Sequence, residues 1–327
     1  MGGLSEVVSS TVSRLNLKFF ERLGCEELIQ IRHNLNAVLE DRGPQLGLFG
    51  TATKLIPPGV TDLVPVRAVR RNVIPTGAGV VLSPSQVRAF LGCSAKWWFK
   101  YGLHLPEPKT ASLALGLAVH SALEVNFREK LETHEDLETA GMVMIFRDAW
   151  QEQVGETEFR DDEDPKELGE AGKQLIIKYM EEAAPTIEPA AVELAVEGQV
   201  AGVQVRGRID LMDIEGRVTD VKTAARRPSC VSPDYAFQLA TYRQITPGAS
   251  GVARLDTLVR TKTVQLVRHD YTVSDQDLLA TQVVYPLVQE GIQSGLYFPN
   301  RQSTLCSRRH CAFWRQCEKE FGGTVSA

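Results

Sequence analysis

The sequence predicts an α/β fold: a mixed central sheet flanked by helices, with a cysteine-bearing segment closing it near the C-terminus. Three observations carry that expectation. Val203, Val205, Ile209 and Leu211 are apolar at period two, Ile214–Arg217 reads as a turn, and Val218 and Val221 start a second strand. Helical spacing of apolar residues over 111–131, 234–244 and 274–294 surrounds this strand region. Cys306, Cys311 and Cys317 cluster after the last predicted helix.

Composition bounds the rest. The chain has 327 residues and is 43% hydrophobic, enough for one large domain with an extension or for two modest domains. The net charge of −5 excludes a generally basic binder but leaves room for a local basic groove. No apolar run reaches membrane-spanning length, and Met1–Leu15 lacks the apolar core of a signal peptide. A cytoplasmic location is therefore expected. In a reducing compartment the six cysteines favour metal ligation over disulfides.

Taken in order, residues 1–45 read as two helices, with Val7, Val8, Val12, Leu15 and Leu17 on one and Leu28, Ile29, Ile31, Leu35 and Leu39 on the other. Residues 46–80 are rich in proline and glycine and read as a linker. The expected boundaries are 1–80 for this extension and 81–327 for the main domain. No chemistry is expected before residue 81. Ser83-Pro84 opens a helix, serine as N-cap and proline at its first position. It leads to Cys93 and an aromatic knot of Trp97, Trp98, Phe99 and Tyr101 interleaved with Lys96 and Lys100. Trp98 and Phe99 are expected in a core; Lys96, Lys100 and Tyr101 fit either a core edge or a nucleic-acid contact. The helix over 111–131 contains Gly116, which lets another element approach, and places His120 and Glu124 on one face. Residues 152–170 are acidic and read as a solvated loop, followed by a helix with Leu175, Ile176 and Tyr179. Strands are expected at 192–196 and 200–205, with Glu193 and Glu197 near the site or on the surface. Later come a basic loop with Arg226 and Arg227, a helix with Gln238 and Tyr242 one turn apart, and strands near 254–259 and 263–271.

The hairpin carries the chemistry. Asp220 and Lys222 are two apart on one strand and project to one face, with Asp210 on the neighbouring strand. Two carboxylates and an ammonium converging there need a use, and a divalent cation with oxygen ligands supplies one. A bare Asp-x-Lys is common, and the plain alternative is a solvated surface pair. Cys306, Cys311 and Cys317 leave one position of a four-thiolate site open, and Cys93 is the nearest candidate. Four thiolates suit a [4Fe–4S] cluster or a structural zinc; the three-plus-one split across most of the chain fits the cluster better. Cys25 and Cys230 read as lone thiols.

LSPSQVRAFLGCSAKWWFKYG, GLAVHSALE, GRIDL, TDVKT, QLATY and CSRRHCAFWRQC occur in that order over roughly residues 82–320. Together they resemble the RecB-like iron–sulfur branch of the PD-(D/E)XK nucleases, which includes Cas4, the nuclease domain of AddB and Dna2-like exonucleases. The resemblance implies a restriction-endonuclease-like fold stapled by a [4Fe–4S] cluster on Cys93, Cys306, Cys311 and Cys317. It implies Mg²⁺ or Mn²⁺ on His120, Asp210, Asp220 and the Val221 carbonyl. Lys222 would act in catalysis, with Gln238 and Tyr242 lining the site and holding the DNA backbone. The implied activity is an exodeoxyribonuclease on single-stranded DNA ends, in DNA repair, recombination or phage DNA metabolism. Protein partners in recombination or CRISPR adaptation are implied as well. A Cas4-type nuclease trimming prespacers and a non-catalytic iron–sulfur DNA-binding module are the alternatives. The DNA lining is expected from Lys96, Lys100, Arg226, Arg227, Arg308 and Arg309, with bases stacking on Trp97 or Tyr101.

Overall fold

The computed structural model describes residues 80–326. The extension expected over 1–80, apart from Val80, lies outside the described residues, as does Cys25. Eight α-helices are described: α1 Pro84–Gly92, α2 Ser94–Trp97, α3 Ala111–Thr133, α4 Thr139–Val154, α5 Pro165–Glu182, α6 Pro233–Ile245, α7 Asp275–Gln293 and α8 Trp314–Phe321. A π-helical turn, Trp98–Gly102, continues α2. The strands are β1 Lys109–Thr110, β2 Thr157–Glu158, β3 Pro189–Val200, β4 Val203–Asp213, β5 Val218–Ala224, β6 Val252–Val259 and β7 Gln265–Thr272.

The main sheet has the order β3-β4-β5-β6-β7, and only β5 and β6 run parallel. A parallel neighbour needs a crossover, and α6 supplies it. The result is the mixed α/β sheet flanked by helices that the sequence predicts.

Local chemistry sets the element ends. The Thr110 hydroxyl accepts the Leu113 N–H at 3.3 Å and caps α3. The Asp164 carboxylate accepts the Lys166 N–H at 2.8 Å and, with Pro165 following, starts α5. Ser274 and Asp277 form a reciprocal capping box at the start of α7. Between β4 and β5 the Asp213 carboxylate accepts the N–H groups of Glu215 and Arg217 at 3.0 and 2.8 Å. Gly216 takes φ +75° in that turn, a conformation glycine adopts without strain.

The acidic stretch 152–170 is shorter as a loop than expected. Helix α4 runs to Val154 and α5 begins at Pro165, and between them β2 pairs in parallel with β1. Met142, Phe146, Ala149 and Trp150, apolar at helical spacing, bury one side of α4.

Two apolar cores lie against the sheet. One packs α3, α4 and α5 around Leu115, Phe146 and Tyr179 and reaches Val192, Leu211, Val221 and Leu258 of the sheet. The other packs α1, α6, α7 and the C-terminal segment around Trp97, Trp98, Phe99, Tyr285 and Phe313. In it the rings of Trp97 and Trp98 stack on Tyr297 at 5.9 and 5.7 Å, and Phe99 meets Phe313 at 5.8 Å. Trp97 is 1% exposed, which corrects the expectation that bases stack on it. Trp98 and Phe99 are core residues, as read from the sequence.

Gly207 is required where it stands. A Cβ there would lie 2.5 Å from the Tyr242 ring, which bridges α6 to β4. Gly207→Ala should therefore destabilise the domain by about 1–3 kcal/mol, the usual range for overpacking. Guanidinium unfolding of the two proteins measures it; an unchanged midpoint would mean that the Tyr242 ring moves aside freely.

Candidate active site

The ladder between β4 and β5 is short. Only Leu211 with Thr219 and Met212 with Val218 are paired, after which the strands part. A buried N–H freed by such a gap needs an acceptor. Asp210 supplies it: its Oδ2 accepts the Val221 N–H at 2.7 Å. That bond turns Oδ1 outward, where it lies 3.7 Å from His120 Nδ1 of α3.

Glu193 of β3 joins this pair. One donor atom each from His120, Glu193 and Asp210 lies within 4.8 Å of the others. These three, with Glu124 and Val221, line a cleft of about 20 Å³. That is room for an ion or a single water. Imidazole nitrogen with carboxylate oxygens suits a divalent metal ion. The Glu193 backbone is left-handed, φ +48°, in the middle of a strand. That conformation is costly for a non-glycine residue and is held by the surrounding sheet. Burial raises the Glu193 pKa, and the charges of Asp210 and Glu124 add to the rise.

Asp220 sits deeper, 3% exposed. Its Oδ1 accepts from Gln238 Nε2 at 2.7 Å. Its Oδ2 has no hydrogen bond of good geometry and faces Lys222 Nζ at 2.6 Å. Burial raises the Asp220 pKa, opposed by Lys222 and reinforced by Asp210. Burial would lower the Lys222 pKa, but the charges of Asp220 and Asp210 outweigh it and raise it. Lys222 thus stays an ammonium, with its Nζ 5.7 Å from the centre of the Tyr235 ring.

The expected residues are therefore brought together, with differences. Tyr242 is 5% exposed and its hydroxyl donates to the Arg208 carbonyl at 2.8 Å. It braces β4 from inside the second core instead of facing a DNA backbone. Gln238 holds Asp220. Glu193, undecided in the sequence, stands with the candidate metal donors; its signal was an acid between apolar strand residues.

Cys93, Cys306, Cys311 and Cys317 line a second cavity of about 980 Å³, shared with Lys96 and Lys100. Burial raises the Cys311 pKa and lifts that of Cys317 to about 11. The basic lining is largely paired. Lys96 and Lys100 both meet Glu107, at 2.7 and 2.6 Å. Arg309 meets Asp162 at 2.7 Å, Arg308 meets Glu318 at 3.5 Å, and Arg227 donates to Gln265 at 2.8 Å. No helix among the described residues is long and apolar enough to cross a membrane.

Residues 81–318 match the PD-(D/E)XK nuclease superfamily. No curated protein matches the chain. A structure from Eubacterium rectale, described as a candidate exonuclease, is similar with TM-score 0.50 and 13% identity, covering 73% of this chain and 88% of that one. The structure of SSO0001 is matched with TM-score 0.33 and 15% identity, over 72% of this chain and 96% of that one.

The Glu193 environment has a pH signature. A carboxyl whose pKa is raised on folding contributes stability at low pH and loses it as pH rises through the folded value. Without divalent ions, Glu193→Gln should therefore gain melting temperature relative to the parent on going from pH 5 to pH 8. Adding Mn²⁺ at pH 8 should raise the parent more than the variant. Thermal melts with and without chelator check both; parallel pH curves and equal Mn²⁺ shifts would remove Glu193 from the cleft's chemistry.

Proposed function

Because this chain belongs to the PD-(D/E)XK nuclease superfamily, we propose that it is a metal-dependent deoxyribonuclease that degrades single-stranded DNA from an end. The observation that carries the reading is the meeting of His120, Glu193 and Asp210 in one cleft beside the Asp220–Lys222 pair. The nuclease domain is taken as residues 81–327.

The residues fit a divalent ion. His120 and Asp210 would hold it with Asp220 and the Val221 carbonyl, and Glu193 adds a donor that the sequence left open. Asp220 Oδ2 is buried and meets the Lys222 ammonium at 2.6 Å, so this carboxylate is held next to a positive charge beside the cleft. When bound, the ion polarises a phosphoryl oxygen and makes water a better nucleophile. The protein's own groups do the rest. Asp210 bridges β4 and β5 where their ladder ends, through the Val221 N–H. Gln238 fixes the Asp220 carboxylate. Lys222, kept protonated by Asp220 and Asp210, offers its ammonium to charge developing on the phosphate.

The four cysteines are read as ligands of a [4Fe–4S] cluster. All four line one cavity, and their three-plus-one split across the chain favours a cluster over a structural zinc. Bound there, a cluster would tie the C-terminal segment to the start of α2 and supply structural rigidity.

Asp210→Asn keeps an oxygen for the Val221 N–H but removes charge, and should abolish cleavage without unfolding. Lys222→Ala should cost about 10²–10³-fold in rate, as for loss of a transition-state donor. Linear and covalently closed single strands incubated with Mn²⁺ test polarity of attack. Cutting of the circle as fast as the linear strand would replace the exonuclease with an endonuclease. Absence of any cleavage despite binding would leave a non-catalytic DNA-binding module.

Protein purified without oxygen should be brown, with iron and acid-labile sulfide in equal amounts. Replacing any one of Cys93, Cys306, Cys311 and Cys317 by serine should bleach it; Cys230→Ser should not. Colourless protein with stoichiometric zinc would refute the cluster.

A further inference from the structure

The face of α3 that carries His120 and Glu124 continues beyond the metal cleft. At about 100° per residue, Leu113, Leu117, His120 and Glu124 fall within an arc of about 60°. Yet Leu113 and Leu117 are 52% and 42% exposed, while His120 is half-buried in the cleft. At a rise of about 1.5 Å per residue they stand roughly 10 and 5 Å along the helix from His120. A single exposed leucine means little, but two in line with the metal donors form a surface at the site's mouth.

Their surroundings say what kind of ligand fits. The position a Gly116 Cβ would take is 3.4 Å from Thr223 Oγ1, so this part of α3 lies against the end of β5, one residue past Lys222. Arg260, just after β6, bonds both walls there. Its N–H donates to the Ala224 carbonyl at 2.9 Å, and its Nη2 donates to Ser112 Oγ at 3.3 Å. Arg226 is exposed two residues beyond β5. Apolar surface thus lies next to a guanidinium at this end of α3. A nucleic-acid strand offers the matching pair, an apolar base face next to an anionic phosphate.

We propose that Leu113 and Leu117 form an apolar shelf for the base of an unpaired nucleotide next to the scissile bond, with Arg226 and Arg260 taking its flanking phosphates. A duplex keeps its base faces stacked inside, so only a single strand can use the shelf. The shelf is therefore a source of selectivity for unpaired DNA. This rests on the nuclease reading of the adjacent cleft and adds the element that recognises the strand.

The test uses the full chain and a Leu113→Ser/Leu117→Ser variant, with melting curves confirming that both fold. Each is given a single-stranded oligonucleotide with Mn²⁺, and the same oligonucleotide with abasic residues throughout. The parent should cut the natural strand about tenfold faster than the abasic one, corresponding to about 1.4 kcal/mol of base contact. In the variant that ratio should fall to near one. A ratio unchanged in the variant, or a loss of equal size on both strands, overturns the shelf. Binding measured by fluorescence anisotropy in EDTA gives an independent reading. If the parent cuts neither strand, the nuclease reading fails, while equal affinity of parent and variant for the natural strand would separately overturn the shelf.

Discussion

One hydrogen bond organises the centre of this molecule: Asp210 Oδ2 accepting the Val221 N–H at 2.7 Å. Strand β5 pairs with β6 over six residues, from Thr219 to Ala224, and so follows that neighbour. Strand β4 pairs with β3 over almost its whole length. The two halves of the sheet meet at only two residue pairs, and beyond them a side chain takes the place of the ladder. A backbone partner there would have closed the gap. The carboxylate spans it, satisfies the N–H, and leaves an oxygen free toward His120. The position of the Asp210 carboxylate and the geometry of the sheet are therefore one property, and neither can be changed without the other.

The same economy of buried groups runs through the second core. Gly207 gives room to the Tyr242 ring, whose hydroxyl holds the Arg208 carbonyl and receives Gln238 at 3.3 Å. Gln238 in turn holds Asp220. From Gly207 through Tyr242 and Gln238 to Asp220 the contacts form a continuous chain, and each of these four is buried or half-buried. In such surroundings a polar group without a partner is costly, and the second Asp220 oxygen is met by the Lys222 ammonium at 2.6 Å.

Much of this was legible in the sequence because it depends on short-range pattern. Period-two alternation gave the hairpin, helical spacing gave α3 and α6, and Ser83-Pro84 marked the start of α1. Asp210, Asp220 and Lys222 could be picked out because their charges converge on one face of an otherwise apolar hairpin, and His120 because the family resemblance pointed to it. What escaped depends on long-range partners or on backbone conformation. The left-handed φ at Glu193 has no sequence signature in a non-glycine residue, so its alignment with His120 was not readable. Lys96 and Lys100 looked like free cations until the chain folded Glu107 back between them. Arg309 found Asp162, 147 residues away. Trp97 sat among lysines in sequence but turned inward, because Phe90, Tyr101 and Tyr297 surround it.

The joining of Cys93 to the C-terminal segment has a consequence for the order of assembly. Asn300 N–H donates to Cys93 Sγ across 207 residues, and Phe298 bonds Ser94 across 204. Contacts of that range close slowly, since loop entropy must be overcome before they contribute. During synthesis the cleft at His120, Asp210 and Asp220 is complete in sequence well before residues 298–317 leave the ribosome. The aromatic rings of the second core then wait, uncovered on one side, for Tyr297 and Phe313. The vulnerable interval in the life of this protein is thus the one before its closing segment arrives, when the residues of the cleft are all present beside an unfinished core.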